Sequence, residues 1–415
     1  MSWIRIAPVT AEAIVVCVVI FASCTFEAMA TGQRFGDVQR EWGAIHSLHQ
    51  FVDQDGVHRI KEPELRGPFD IWNGELWRIP VTAFHHADFF HLFLNISLAW
   101  YLGSRLEKRW GSFATLLFLV PAVCIPVMAE LCCGNAVVGF SGVICAMLGA
   151  IAVQRQFDER LAKTVPVGVV WCGMAAIALC WLATLTDIVA VANIAHITGF
   201  LYGGIIAFVF SGPLGHVTLL RISLVLVHGW LIPGLIPVMH PNWIGRYHWY
   251  RAATIRNPQQ AEKSLERATG CDPALAGAWV RWSECAERRG DLPEAWERLI
   301  RGIGVNPSNP VLIESSRRLW RHLGISQRRD AEKTLNRVFG KRATHWLSTI
   351  RNVGLKSESA PIEYSIDPDP NVDISEFALD RKIQLPIFET RPDRLERQTP
   401  IVPKDGNDAM EGESL

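Results

Sequence analysis

Neither sign of charge prevails in this chain: 41 Lys and Arg stand against 41 Asp and Glu, so no field of one sign recruits a nucleic acid. The ten cysteines show no repeated short spacing of the zinc-holding kind. Cys17, Cys24, Cys124, Cys145, Cys172 and Cys180 lie inside apolar stretches as small packing residues. Cys132 and Cys133 are adjacent at the end of one such stretch. No HExxH pair sets two metal ligands and a base on one helix face. Near the N-terminus no small-x-small cleavage site follows an adequate basic start, so the first apolar stretch reads as a retained helix and not as a signal peptide.

What is present is segregated along the chain. Apolar residues concentrate between 8 and 240, and charge after 240. A bilayer core about 30 Å thick takes roughly 20 apolar residues per helical crossing. Six segments approach that length, at about 9–28, 92–103, 113–131, 137–153, 165–185 and 194–210. The stretch from 29 to 77 is polar and rich in turn formers, long enough to carry function. Lys and Arg cluster in 104–112 and 154–163, while the turns 132–136 and 186–193 have none. The positive-inside rule then puts the basic turns and the N-terminus in the cytoplasm, and the 29–77 loop outside.

Three patterns carry chemistry. Gly139-Phe140-Ser141-Gly142 opens the fourth apolar segment, where a helix N-terminus favours developing negative charge; the same small residues also serve close helix packing. Ala195-His196-Ile197-Thr198-Gly199, running on to Gly203, gives the sixth segment a small-xxx-small face able to bring His196 to the Ser141 hydroxyl. The alternative is a histidine held by a neighbouring helix for structure alone. His86, His91 and Asn95 form the third pattern, with His91 and Asn95 on one helix face as paired N–H donors. His85, His86, Asp88 and His91 leave a metal reading open as the competitor.

In this order, HxxxxHxxxN, GxSG and AHxxGxxxG, the motifs resemble those of the rhomboid family of intramembrane serine proteases. Trp77-Arg78 ahead of the second segment, and Glu107 with Gly111-Ser112 after it, extend the likeness over about 8–212. The resemblance implies a Ser141–His196 dyad without a third acid, an oxyanion site of His91, Asn95 and the Ser141 backbone N–H, and support from His86, Gly139, Gly142, Gly199, Gly203, Trp77, Arg78 and Glu107. It implies transmembrane protein substrates and no metal or organic cofactor. One position departs: the family commonly places an aromatic residue four after the serine, and this chain has Cys145.

Beyond the core, the apolar run 222–239 is interrupted by His228, Pro233 and Pro237. A seventh crossing there would put the C-terminus outside, whereas Arg246, Arg251 and Arg256 favour a cytoplasmic C-terminus, with the run as an interfacial or re-entrant segment. From 257 a 34-residue self-similarity pairs Ala261 with Ala295, Leu265 with Leu299 and Asp272-Pro273 with Asn306-Pro307. That is the length of a tetratricopeptide repeat, a module that binds proteins, with a plain helical hairpin domain as the alternative. The tail from about 355 has scattered acids and prolines and no apolar period, the composition of a disordered segment.

The expected architecture is all-α: a polytopic six-helix membrane bundle (1–212), a linking segment (213–256), a small soluble helical repeat region (257–350) and a tail (351–415). The expected function is intramembrane serine endopeptidase in the cell membrane, with an inactive membrane scaffold as the alternative. The lipid bilayer, transmembrane substrates and a protein partner of the repeats are the expected partners, and no nucleic acid.

Overall fold

A computed structural model describes residues 7–45, 47–53, 56–60, 64–188, 191–211, 241–351 and 388–389. Helices dominate it. Four of them, α1 (Pro8–Thr31), α6 (Ser112–Cys132), α9 (Val167–Leu185) and α10 (Asn193–Ser211), are long and apolar enough to cross a membrane. Two more complete the bundle: α5 (Phe89–Trp110), 22 residues long but more polar, and α7 (Ser141–Gln154), with 14 residues. Phe93, Leu98, Phe113, Leu117, Trp171, Leu182 and Leu201 are exposed around it. A belt of that kind is stable only against lipid, and the chain is an integral, multi-pass membrane protein.

Local chemistry sets the helix ends. Pro8 occupies the first turn of α1, where its missing N–H is no loss, and Gly32 closes the helix in the left-handed conformation. Asp88 caps α5 by accepting from the His91 N–H. The connection between α1 and α5 is not a bare loop. It holds α2 (Phe35–Glu41), an antiparallel hairpin of β1 (Gln50–Asp53) and β2 (Gly56–Ile60), and the short α3 (Phe69–Trp72) and α4 (Arg78–Thr82). The hairpin pairs Gln50 with Arg59, Val52 with Val57, and Ile60 with Phe388 of a two-residue edge strand, a local departure from helix.

Buried Arg40 organises this connection. It pairs with Asp70 at 2.8 Å and donates to the Ser47 and Gln50 carbonyls, while Arg78 donates to the Arg40 carbonyl. A buried charge is tolerable only with pairing of this kind, here at both terminal nitrogens of the guanidinium. An isolated bridge from Ile45 to Val137 ties the connection to the segment entering α7.

Within the bundle α7 packs mainly on α10, through backbone contact. A methyl group on Gly199 would sit 2.2 Å from the Gly142 carbonyl oxygen, on Gly203 1.8 Å from that of Ala146, and on Gly149 2.0 Å from that of Phe200. Glycine at these places is what lets the two helices touch. After α8 (Glu159–Thr164), α9 lies at the rim with only Val170 buried, so lipid surrounds most of it.

Following residue 241 come α11 (Pro241–Thr254), α12 (Pro258–Cys271), α13 (Ala276–Arg288), α14 (Leu292–Val305), α15 (Pro310–His322), α16 (Ile325–Phe339) and α17 (Ala343–Arg351). Helix starts at 258 and 276 recur at 292 and 310, a spacing of 34, and then at 325 and 343, a spacing of 33. Trp279, Trp296, Leu299, Ile303, Leu312 and Leu319 form a second core there. The apolar run 222–239 and nearly all of the tail lie outside the described residues.

Candidate active site

Ser141 is the first residue of α7, and no side chain caps that end. Its peptide N–H belongs to the orphan donors that every helix N-terminus leaves, in the positive end of the helix dipole. At about 1.5 Å per residue, α7 spans roughly 21 Å, well short of a 30 Å hydrocarbon core. Its far end is fixed by Trp110, which donates to Gln154 at 2.6 Å beside Arg155, in the basic part of the chain. The short helix therefore begins below the opposite interface, and Ser141 lies sunken in the bundle.

His196 is the fourth residue of α10, and its Nε2 stands 2.8 Å from Ser141 Oγ. The imidazole is 8% exposed, and its Nδ1 has no protein partner among the described residues. Ser141 and His196 thus form a pair in which the hydroxyl can give its proton to a neutral ring. Among the described residues no carboxylate meets the other nitrogen.

What places His196 is a residue that the sequence patterns passed over. Glu130, 1% exposed near the end of α6, accepts from the Ala195 N–H at 2.8 Å with one oxygen and from the Asn135 amide at 2.9 Å with the other. It caps α10 one residue ahead of the histidine and ties the α6–α7 turn to the same carboxylate. The signal was available, since an ionisable residue inside an apolar helix is costly unless it is used.

His91 comes from the first turn of α5. Its ring lies against Gly139, whose φ is +117° and whose added methyl would fall 2.7 Å from His91 Cε1. Two separate demands, positive φ and a close ring, require glycine there. Asn95 is buried one turn on, and its amide donates to the His91 carbonyl at 2.8 Å, which engages one of its two N–H groups. His86 stacks edge-on against His91 with ring centroids 5.1 Å apart, and its Nδ1 faces the Phe84 carbonyl at 3.2 Å. It sits in the loop ahead of α5, where burial first and the His91 ring second push its pKa down to about 3, so the ring is neutral.

Other expected residues divide between near and far. Gly142 packs on Pro126, and Gly199 and Gly203 hold the α7–α10 contact described above. Trp77 and Arg78 lie in the α1–α5 connection: the Arg78 guanidinium stacks 4.8 Å from the Trp77 ring and pairs with Glu75, and Trp77 packs over Gly43. Glu107 is elsewhere. It sits four turns along α5 from His91, at the opposite end of the bundle, and accepts from the Val9 and Thr10 N–H groups and the Thr10 hydroxyl at 2.8–3.0 Å. Its structural role is to cap α1, and it makes no contact with the serine–histidine pair. Cys145 is buried in α7, and no aromatic ring stacks on His196 among the described residues. Cys133 is an exposed thiol. Among the described residues no three His, Cys, Asp or Glu side chains gather as a metal site.

Fold and site together define a multi-pass helical membrane protein with a half-buried serine and a buried histidine joined across two closely packed helices. Residues 73–213, about a third of the chain, match the family described as Rhomboid domain. The chain is 32% identical over 138 residues to the rhomboid protease GlpG of Yersinia pestis, covering 32% of this chain and 48% of that protein. It is 29% identical over 147 residues to the rhomboid protease GlpG of Salmonella paratyphi A, covering 35% of this chain and 52% of that one. The chain spans about half the length of the curated relatives it matches. These likenesses support the rhomboid family for the segment that holds Ser141 and His196.

Proposed function

We propose that this chain is a serine endopeptidase that cuts transmembrane segments of other proteins inside the bilayer. The observation that carries the reading is the 2.8 Å approach of Ser141 Oγ to His196 Nε2 at the buried end of a helix too short to span the membrane. Ser141 attacks the scissile carbonyl while its proton passes to His196 Nε2. The ring returns that proton to the departing amine, and the same base then activates the water that releases the acyl group. Developing negative charge on the carbonyl oxygen is met by the Ser141 N–H, the His91 ring and the second N–H of the Asn95 amide. His86 braces His91 by ring contact, and Glu130 fixes the start of the helix that bears the base.

The absence of a carboxylate on His196 Nδ1 supports a dyad over a triad. The proposed substrate is a membrane helix that unwinds readily to enter the sunken site. The basic turns at 104–112 and 154–163 lie at the bundle end that holds Pro8, which supports a cytoplasmic N-terminus in a cell membrane. The recurrence of helix starts at 34 residues supports a tetratricopeptide-like region that binds a protein partner.

The test is cleavage of a reporter carrying a transmembrane segment, in membranes, by the unaltered chain and by Ser141→Ala and His196→Ala. Cleavage by the first alone, together with labelling of Ser141 by a fluorophosphonate, is the expected result. Equal cleavage by all three, or none by any, refutes the proposal and leaves a membrane scaffold.

A further inference from the structure

The ends of α10 and α11 lie on opposite sides of the bundle. The start of α10 is beside Ser141, through the His196 contact, and at about 1.5 Å per residue its last residue, Ser211, is roughly 27 Å away. Along the way Gly204 passes Val153, next to the basic far end of α7. Yet α11 begins back at the serine end: the Trp243 indole, 1% exposed, donates at 2.7 Å to the carbonyl of Leu131, at the close of α6. Gly134, in the turn that leads to Ser141, lies 4.0 Å from the same indole and 3.8 Å from Arg66, measured from where its methyl would be.

The contact continues over a wide front. Trp72 of α3 meets Trp243, Tyr247 and Tyr250 with ring centroids 5.7–6.1 Å apart, and Phe69 meets Tyr250 at 5.0 Å. Tyr250 donates to Asn73 at 2.9 Å. Glu64 reaches the repeat helices themselves: its carboxylate accepts from the Gly277 N–H at 3.0 Å and the Asn309 amide at 3.3 Å, and its carbonyl accepts from Arg246 at 3.1 Å. Trp243, Trp249, Tyr250, Leu265, Leu275 and Ala278 belong to one continuous core with the membrane bundle. Arg246, whose charge favours a cytoplasmic C-terminus when the sequence is read alone, is engaged by Glu64 and Asp272.

We propose that the C-terminal helical region lies on the same side of the bilayer as the Ser141 end of α7, docked on the α1–α5 connection through Glu64 and the Trp72 aromatic cluster. Any protein held by the repeat helices is then on the serine side, where the uncut part of a client emerges. Through Leu131 and Gly134, α11 also braces the turn that delivers the serine. The inference stands on helix placement and not on catalysis, and the Ser141→Ala chain serves equally well for its test.

The exposed thiols of Cys133, in the α6–α7 turn, and Cys271, at the end of α12, are natural reporters. Full-length protein carrying one addition, Lys163→Cys in the basic α8, is treated with a membrane-impermeant maleimide in sealed vesicles of each orientation, and the modified peptides are mapped by mass spectrometry. Cys133 and Cys271 are expected to react in one orientation and position 163 in the other, with all three reacting after detergent. Reaction of Cys271 together with position 163 overturns the proposal. Docking is read separately by hydrogen exchange over 64–76. Trp243→Ala is expected to speed exchange there at least tenfold, and unchanged exchange rejects the docked arrangement.

Discussion

At Gly139 two requirements meet on one atom that is not there. Its φ of +117° is strained for any L side chain, and the place a methyl would take is within 3 Å of the His91 ring. Gly139→Ala therefore displaces His91 from the start of α7. The expected result is a loss of about tenfold or more in kcat/KM on a reporter substrate, from about 1.4 kcal/mol or more of transition-state stabilisation, while fluorophosphonate labelling of Ser141 persists at a reduced rate. Ser141 was legible in the sequence because the glycines flanking it are a pattern that backbone geometry imposes, and His91 because it shares a helix face with Asn95 four residues on. Glu130 was not, because a single carboxylate in an apolar run shows its cost without showing which N–H it will meet. Glu107 was legible as important but not as to purpose: a sequence gives no distance, and only the fold shows that it caps α1 while His91 sits at the other end of the same helix.

At the scale of elements, the Ser141–His196 contact is a by-product of two helix backbones in contact. Gly203→Ala must force α7 and α10 apart, because its methyl would fall 1.8 Å from the Ala146 carbonyl oxygen, which cannot rotate away. A methyl on neighbouring Gly204 meets Val153 at 3.5 Å, an ordinary contact. Unfolding in detergent micelles should show Gly203→Ala destabilised by several kcal/mol, in the range reserved for overpacked cores, and Gly204→Ala within about 1 kcal/mol of the unaltered chain. The start of α10 is held differently, by charge. Glu130→Ala strands the Ala195 N–H and frees Asn135, a loss of roughly 1–3 kcal/mol, whereas Glu130→Gln keeps an acceptor for Ala195. Activity should fall further in the alanine variant than in the glutamine variant, with kcat affected more than KM. Five of the bundle's helices were readable from apolar length to within a few residues, while α5 runs on to Trp110, seven residues past the expected end at 103. The hairpin and short helices between α1 and α5 were not, because Arg40, Asp70 and Arg78 specify that connection through long-range pairing and not through periodicity.

For the whole molecule, the question is whether the bundle and the C-terminal helices fold as one unit. The sequence shows two materials, apolar then charged, which on composition alone suggests two independent parts. The structure gives them a shared core in which Trp243 is fully enclosed, and burying so large a side chain against Trp72 and Leu131 couples one part to the other. Truncating a buried tryptophan to alanine costs about 3–5 kcal/mol. That loss falls at the junction, so it should separate two melting events more than it weakens either part. The unaltered protein is expected to lose the helicity of both parts in a single thermal transition. Trp243→Ala should split it, the C-terminal helices melting first while the α7–α10 contact, which involves no residue of the junction, persists to higher temperature. Circular dichroism combined with thiol reactivity of Cys285 in the C-terminal part and Cys145 in α7 would follow the two parts separately. Two transitions already present in the unaltered chain would mean that the aromatic cluster touches without coupling.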